Sequence, residues 1–208
     1  MVKTTTFYID STEVTVAQYD AFRRAKGKDT SGQAPECSWN SNYEPLFLQG
    51  TSTPRPQMPV TMVDYCDAAA FCAWADKRLC GRISGGSITL PELADATQSQ
   101  WFAACSGPKG QLYPYGAARQ SGACNDGGAG NALAPVGSYQ KCQGYYPDLF
   151  DMLGNAQEWT DACNAQVGKL DGCERIGGSY KGTGVCSDSS LAQRNLQAPE
   201  LGFRCCSK

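Results

Sequence analysis

Residues 149–160 read Leu-Phe-Asp-Met-Leu-Gly-Asn-Ala-Gln-Glu-Trp-Thr, and this stretch constrains the fold more than any other part of the chain. Two carboxylates, Asp151 and Glu158, flank a turn that contains Gly154. From the residue types alone, one interpretation is a glycine turn whose carboxylates accept hydrogen bonds from backbone N–H groups. The elements before and after it indicate which fold contains this turn.

Turn-forming residues dominate the second half of the chain. After Cys105, Gly, Pro, Asn and Tyr recur at short intervals, which is typical of loops and short strands. Short strands are predicted at residues 135–139, 175–180 and 201–205. The regular structure in this half is therefore expected to be β.

The first half has the longer periodic segments. Apolar residues at helical spacing predict helices over 16–25, 66–77 and 92–105, and alternation predicts a strand over 7–10. Asp64 is the predicted N-cap of the second helix. Residues 26–59 are rich in Gly, Ser, Asn and Pro and are predicted to form a long irregular loop.

This order of elements predicts the fold class. Helices lie early and strands late, which favours an α+β fold with low regular secondary structure over a doubly wound sheet. No internal repeat or low-complexity linker divides the 208 residues, so one domain over 1–208 is expected.

Composition excludes several kinds of chemistry. The chain contains no histidine, which rules out Ser-His-Asp and Cys-His nucleophiles and histidine-ligated zinc or iron. A bound metal must therefore sit on oxygen or thiolate ligands. The net charge is −2 and no basic stripe is present, so nucleic acid is not an expected partner.

Twelve cysteines are spread along the chain from Cys37 to Cys206. Their number is even and none forms a Cys-x-x-Cys pair, which disfavours structural zinc and favours up to six disulfides. Disulfides indicate an oxidising compartment, so a secreted, periplasmic or cell-surface protein is expected. The N-terminus shows no apolar leader, which we interpret as a mature form, and no segment is apolar enough to span a membrane.

Motifs along nearly the whole chain resemble one family, that of the sulfatase-modifying, formylglycine-generating enzymes. The resemblance rests on segments in the right order: Ile9-Asp10, Glu13-Val14-Thr15, Pro59-Val60, Asp67-Ala68, Gln100-Trp101, Tyr113–Gly116, Ala134–Gly137, Leu149–Thr160, Gly177–Tyr180 and Leu201–Cys205. The resemblance implies a fold similar to C-type lectins, with a twisted antiparallel sheet and two main helices.

The family's enzyme oxidises a protein cysteine to formylglycine, using copper held by two cysteines that follow the Gly-Gly-Ser-Tyr segment. Here Tyr180 is followed by a shorter segment with one cysteine, Cys186. Cys186 lies 19 residues before Cys205, which matches the family's structural cysteine rather than a reactive one. The resemblance then implies that the reactive pair is absent and that copper is not a cofactor. A rival alignment makes Cys186 the reactive thiol.

The resemblance also implies two disulfides, Cys72–Cys205 and Cys105–Cys186. The other eight cysteines lie outside the family pattern, and eight cysteines allow 105 connectivities. Proximity and chain order suggest four further pairs: Cys163 with Cys173, Cys124 with Cys142, Cys37 with Cys66, and Cys80 with Cys206.

A second interpretation of the 149–160 turn follows from the resemblance. Asp151, Gly154, Ala156 and Glu158 stand at the positions of a family calcium site, and calcium prefers such hard oxygen ligands. A weaker second calcium site is expected at Asn125 and Asp126.

Five aromatic residues in loop-like sequence are candidate ligand contacts: Trp39, Tyr43, Tyr145, Tyr146 and Tyr180. Packing beneath long loops is the alternative role for these rings. The preferred functional hypothesis is a secreted, non-catalytic module that binds a protein or glycan. The alternatives are a copper-dependent formylglycine-generating oxidase and a variable ligand-binding protein of the retroelement-diversified kind.

Overall fold

The computed structural model describes residues 1–46, 55–127 and 132–208. Three α-helices lie in the first half: α1 (Val16–Lys26), α2 (Tyr65–Trp74) and α3 (Gln100–Ser106). Thr15, Asp64 and Ser99 are their N-caps, and each accepts a hydrogen bond from a backbone N–H of the first turn. Short 3₁₀ turns lie at Pro35–Cys37 and Leu90–Glu92.

The eight strands within these ranges are short, and they form two four-stranded sheets. Their bounds are β1 (Val2–Lys3), β2 (Tyr8–Ile9), β3 (Arg78–Leu79), β4 (Gln157–Cys163), β5 (Gly172–Ile176), β6 (Ser189–Gln193), β7 (Leu201–Phe203) and β8 (Cys205–Ser207). The first sheet has the order β1-β2-β8-β3 and the second β6-β5-β4-β7. Only β4 and β7 pair in parallel, so the second sheet is mixed, whereas the first sheet is fully antiparallel.

The first two helices lie where the sequence predicts them, within a few residues. The predicted helix over 92–105 is wrong in its first half, because α3 begins only at Gln100. Asp95 accepts hydrogen bonds from the backbone N–H and the hydroxyl of Thr97, and this local turn competes with a helix. Ser99 then starts the helix as its N-cap.

The structure confirms only part of the predicted strands. The strand expected over 175–180 ends at Ile176, because Gly177 and Gly178 both have positive φ and bend the chain away from β5. Residues 135–139 form turns and not a strand. The sequence predicts no strand at β4, which is the longest strand of the described residues and begins inside the 149–160 stretch.

Two main groups of buried side chains form the core. One contains the aromatic rings of Tyr19, Phe22, Phe71 and Phe203, which pack α1 and α2 against β7. The other surrounds Trp101 on α3. The 149–160 turn runs between these groups, with Trp159 in the first and Leu149 and Met152 in the second.

Six disulfides join all twelve cysteines: Cys37–Cys66, Cys72–Cys205, Cys80–Cys206, Cys105–Cys186, Cys124–Cys142 and Cys163–Cys173. These are the pairs expected from the sequence. Three of them close loops of more than 80 residues and tie the C-terminal half to the first half. In the described residues, no helix is long and apolar enough to cross a membrane.

Candidate functional site

A buried ion pair lies at the centre of the 149–160 turn. The Arg204 guanidinium donates from Nε to both oxygens of Glu158 at 2.9 Å, and its Nη2 lies 2.8 Å from Oε1. The indole N–H of Trp101 donates to Oε2 of Glu158 at 2.7 Å. Both charged side chains are about 1% exposed or less, so each depends on the other for charge balance.

Arg204 also holds the backbone of three segments together. Its Nη2 donates to the carbonyl oxygens of Phe150 and Asp151, both at 3.0 Å, and its Nη1 donates to the carbonyl of Asp10 at 3.2 Å. The guanidinium therefore connects the end of β2, the turn and β4 through hydrogen bonds with fixed directions. This is the structural role of the Leu201–Cys205 segment.

Two further buried carboxylates, Glu13 and Asp151, lie beside this pair. Glu13 Oε1 accepts from Nδ2 of Asn155 at 2.9 Å and from the Ala156 N–H at 3.3 Å, while Oε2 has no partner among the described residues. Burial, followed by the charge of Asp151, raises the pKa of Glu13 well above its usual range. Burial also raises the pKa of Asp151, although the Gly137 N–H donates to its Oδ2 at 2.5 Å.

The calcium site expected at Asp151, Gly154, Ala156 and Glu158 does not form an open set of ligands. All four residues lie in the buried turn, but the lone pairs of Glu158 are taken by Arg204 and Trp101. A calcium ion coordinated by Glu158 would share these oxygens with Arg204 and Trp101, so this site stays a prediction. Over residues 1–46, 55–127 and 132–208, no group of three or more acidic, cysteine or histidine residues is placed to hold a metal ion.

The second expected calcium site has open oxygen atoms. Asn125 Oδ1 and Asp126 Oδ1 are buried and have no hydrogen-bond partner in the described part of the chain. The other Asp126 oxygen pairs with Nη2 of Arg119 at 3.1 Å, and Nδ2 of Asn125 donates to Oδ1 of Asn155. Residues 125–126 therefore touch the 149–160 turn through Asn155.

The segment that follows Gly-Gly-Ser-Tyr is short, and hydrogen bonds between nearby residues hold its conformation. The Gly182 N–H donates to the carbonyl of Ser179 at 3.2 Å, and the Val185 N–H donates to Oδ2 of Asp188 at 2.9 Å. Cys186, which follows, is completely buried and bonded to Cys105 on α3. No cysteine with a free thiol lies at this segment.

The five candidate aromatic contacts differ in their exposure. Tyr43 is not at the surface: it is 3% exposed and packs on Phe22 in the core. Trp39 is half-buried, and its N–H donates to the carbonyl of Glu36. Tyr145 and Tyr146 pack on each other far along the chain from Tyr180, which lies beside Lys181. Tyr145 is the most exposed of them, at 46%.

A groove with a volume of about 570 Å³ lies along α2. Its floor is made of Ala69, Ala70 and Ala73, and the exposed ring of Trp74 stands at one end. Tyr43, one of the five predicted contact residues, also lines this groove. The alanines and Trp74 are not predicted as contacts, because such residues on a helix are typical of a packed face.

A buried acidic pair, Asp64 and Asp67, lies under the N-terminus of α2. Each carboxylate accepts the backbone N–H of the other residue, and Nδ2 of Asn40 donates to Asp67 at 2.8 Å. Burial is the main cause that raises the pKa of Asp67 to about 8 and that of Asp64 to about 6. The sequence predicts Asp64 as a cap but gives no sign that Asp67 is buried beside it.

Comparisons with known proteins agree with this architecture. The family model of the sulfatase-modifying factor enzyme 1-like domain matches residues 1–208. The chain belongs to this family, that of the formylglycine-generating enzymes.

Relatives of known role include both active and inactive proteins. The inactive C-alpha-formylglycine-generating enzyme 2 of Mus musculus is 31% identical over 173 residues, covering 73% of this chain and 49% of that protein. The formylglycine-generating enzyme of Streptomyces coelicolor is 28% identical over 267 residues, covering 96% of this chain and 77% of that enzyme. The chain thus spans about half the length of the mammalian relatives it matches.

Solved structures share the fold at low sequence identity. PvdO from Pseudomonas aeruginosa superposes with a TM-score of 0.66 at 17% identity, covering 97% of this chain and 80% of that one. CarF superposes with a TM-score of 0.62 at 22% identity, covering 97% and 85%. The α+β formylglycine-generating-enzyme-like fold is therefore that of this chain.

Proposed function

We propose that this domain is a secreted, non-catalytic member of the family that binds a protein or a glycan. The observation that carries the proposal is the state of the cysteines. Copper oxidase chemistry of the family type needs two thiolates that converge on one soft metal ion. Here all twelve cysteines are in disulfides, so no thiolate pair is available.

The position of Cys186 supports the same conclusion. It is the first cysteine after the Gly-Gly-Ser-Tyr segment, and it is buried and bonded to Cys105. Its backbone N–H donates to the carbonyl of Leu112 at 2.8 Å, which fixes it in the core beneath the loop. A structural role explains these contacts, and the rival alignment that makes Cys186 reactive has no support in them.

Secretion is supported by the disulfides. Six disulfides persist in oxidising compartments and are rare in the cytosol. A binding role is supported by the grooves on a scaffold that these disulfides hold rigid, because rigid loops lose little entropy when they bind. Inactive members of the family exist, as the mouse relative is named inactive.

We also propose a structural calcium ion, at Asn125 and Asp126 rather than at Glu158. The Oδ1 atoms of both residues have no partner among the described residues, which supports this position, because a buried oxygen without a donor is costly until a cation or water satisfies it. Glu158 already has Arg204 as its counter-ion. Backbone carbonyls and water would complete the coordination, as is usual for calcium.

An activity assay tests the non-catalytic part directly. The purified domain, loaded with copper under air, is incubated with a cysteine peptide that the Streptomyces coelicolor enzyme converts, and mass spectrometry follows formylglycine. We expect no conversion, with that enzyme as the positive control. Conversion by this domain at a comparable rate would establish the alternative, a copper-dependent oxidase.

The proposed binding of a protein or a glycan is tested by a separate screen. Glycan arrays and arrays of surface proteins are probed with the folded domain, and the same domain after reduction of its disulfides is the matched control. We expect a ligand that binds only the folded form. Equal signals from both forms, or no signal on either array, would count against a binding module.

A further inference from the structure

We propose that the outer edge of β6 is a docking site at which an extended segment of a partner protein adds a strand to the second sheet. The inference rests on the proposed binding function and gives it a place and a kind of partner. It is carried by the hydrogen-bond pattern of β6, its sequence, and the charge beside it.

The pairing of β5 and β6 shows which backbone groups point outward. At one end the Arg194 N–H donates to the carbonyl of Asp171, and at the other the Gly177 N–H donates to the carbonyl of Asp188. Bonded pairs alternate along an antiparallel ladder, so the even-numbered residues of β6 bond to β5. The odd-numbered residues, Ser189, Leu191 and Gln193, therefore direct their N–H and C=O groups away from the sheet.

These outward groups have almost no partners. Within the described residues, only the Gln193 carbonyl is used, by the Leu196 N–H at 2.8 Å. Among residues 1–46, 55–127 and 132–208, the sheet order places β6 at the edge, with β5 as its one neighbour. The row of free donors and acceptors matches the backbone of another extended chain, which is the basis of strand addition.

In the part of the chain that the structure describes, β6 also lacks the residue types that commonly protect an edge strand against pairing. Edge strands of soluble proteins commonly carry lysine, proline or a bulge that prevents contact with another strand. β6 reads Ser-Ser-Leu-Ala-Gln, with neither charge nor proline, and its register with β5 runs without a break. The Leu191 side chain is 47% exposed and offers an apolar contact on one face.

A positive charge on the opposite face of the sheet indicates that the partner segment carries an acidic residue. Arg175 on β5 lies opposite Ser190, and its Nε donates to the Ser190 hydroxyl at 3.1 Å, so the guanidinium reaches β6. Arg175 makes no ion pair with the described residues, and it lines a groove of about 480 Å³ beside Leu191. A carboxylate on the added strand is the complement of this cation.

Neighbouring residues of a strand point to opposite faces. A bound segment with an apolar residue next to an acidic one therefore meets Leu191 and Arg175 together. A second copy of β6 would satisfy the backbone but brings no carboxylate, because β6 has none. Charge complementarity thus favours an acidic partner segment over self-association.

The test uses immobilised eight-residue peptides in which Asp or Glu alternates with Val, Leu or Ile. Matched libraries replace the acids with Lys, or carry N-methyl groups that remove half of the backbone donors. We expect the acidic library to bind, and both matched libraries to bind about tenfold more weakly or less. Equal binding of the acidic and lysine libraries would overturn the charge argument, and no binding of the acidic library would overturn the site.

Variants locate the contact. Leu191→Pro removes one outward N–H and leaves the bonds between β5 and β6, whereas Leu191→Ala keeps that N–H and is its control. We expect Leu191→Pro and Arg175→Gln to weaken binding about tenfold, and Leu191→Ala to weaken it less. Hydrogen exchange on the wild type gives an independent readout: the amides of Ser189, Leu191 and Gln193 should slow when the acidic library binds, whether or not Leu191→Pro folds.

Two further outcomes would overturn the site itself. One is unchanged exchange at these three amides while the library binds, which would place the peptide elsewhere. The other is a dimer in solution that Leu191→Pro dissociates, which would make a second copy the occupant. Neither outcome bears on the thiol state of the cysteines, so the failure of this site and the failure of the non-catalytic function are distinguishable.

Discussion

Arg204 and Glu158 form a completely buried ion pair in which every oxygen of the carboxylate is engaged, by Arg204 or by Trp101. In the 149–160 motif, where the family resemblance implies a calcium ion, the guanidinium of Arg204 balances the charge of Glu158. The pair connects the 149–160 turn to the C-terminal strands, and the first prediction concerns its contribution to stability.

Glu158→Gln is expected to destabilise the fold by about 3–5 kcal/mol, because it leaves the Arg204 guanidinium buried without its counter-ion. Urea unfolding measures the change. Glu200→Gln is the control, since Glu200 pairs with Lys181 at the surface and its loss should cost about 1 kcal/mol or less. Equal losses in the two variants would show that the buried pair has no special role.

Calcium is expected to raise the thermal midpoint of chelator-treated protein, because a ligand that binds only the folded state stabilises it. The rise should disappear in Asn125→Ala, which removes an unpartnered buried oxygen, and persist in Asn42→Ala, whose side chain is exposed. Differential scanning calorimetry measures both. A calcium response that survives in Asn125→Ala would place the ion elsewhere.

The acidic pair under α2 predicts how stability changes with pH. The pKa of Asp67 is raised to about 8 and that of Asp64 to about 6, so the folded state keeps protons that the unfolded chain releases near pH 4. Their favourable contribution is complete below about pH 4 and is lost as pH rises through 6 to 8. Each proton contributes a slope of up to ~1.4 kcal/mol per pH unit.

Asp67→Asn removes one of these titrations and tests the prediction. Urea unfolding between pH 5 and 9 should show a flatter decline in the variant than in the wild type. Glu13 and Asp151, whose pKa values are also raised, contribute equally to both curves and cancel in the difference. Parallel curves for the two proteins would contradict a raised pKa at Asp67.

The disulfides are expected to contribute according to the loops they close. Replacing Cys72 and Cys205 by Ala opens a loop of 133 residues and should cost about 5 kcal/mol in the loop-entropy account. Replacing Cys163 and Cys173 opens a loop of 10 residues and should cost about 3 kcal/mol. Losses in the reverse order, measured by urea unfolding, would mean that local packing outweighs chain entropy.

The sequence predicts the fold well where local signals are strong. The caps Thr15 and Asp64 precede periodic apolar residues, so α1 and α2 lie close to their predicted bounds. The predictions of secondary structure fail where contacts between distant segments determine the conformation. β4 follows a turn in which Asp151 and Asn155 take left-handed backbone conformations, and its pairing with β7 depends on a distant segment.

The candidate site is likewise predicted well where local sequence signals are strong and poorly where tertiary contacts determine the structure. The motif locates the 149–160 turn correctly, but residue types alone do not show that Arg204 rather than an ion balances Glu158. That choice depends on a contact across 46 residues of sequence. The polar loop around Tyr43 predicts a ring at the surface, whereas the fold packs this ring on Phe22.

The central claim, that no thiolate pair exists for copper chemistry, is tested most directly by counting thiols. The unreduced protein is alkylated with iodoacetamide in denaturant and its intact mass is measured, while elemental analysis reports bound copper. We predict no alkylated cysteine and no copper, because all twelve cysteines are paired. Two alkylated cysteines per chain together with bound copper would contradict the account.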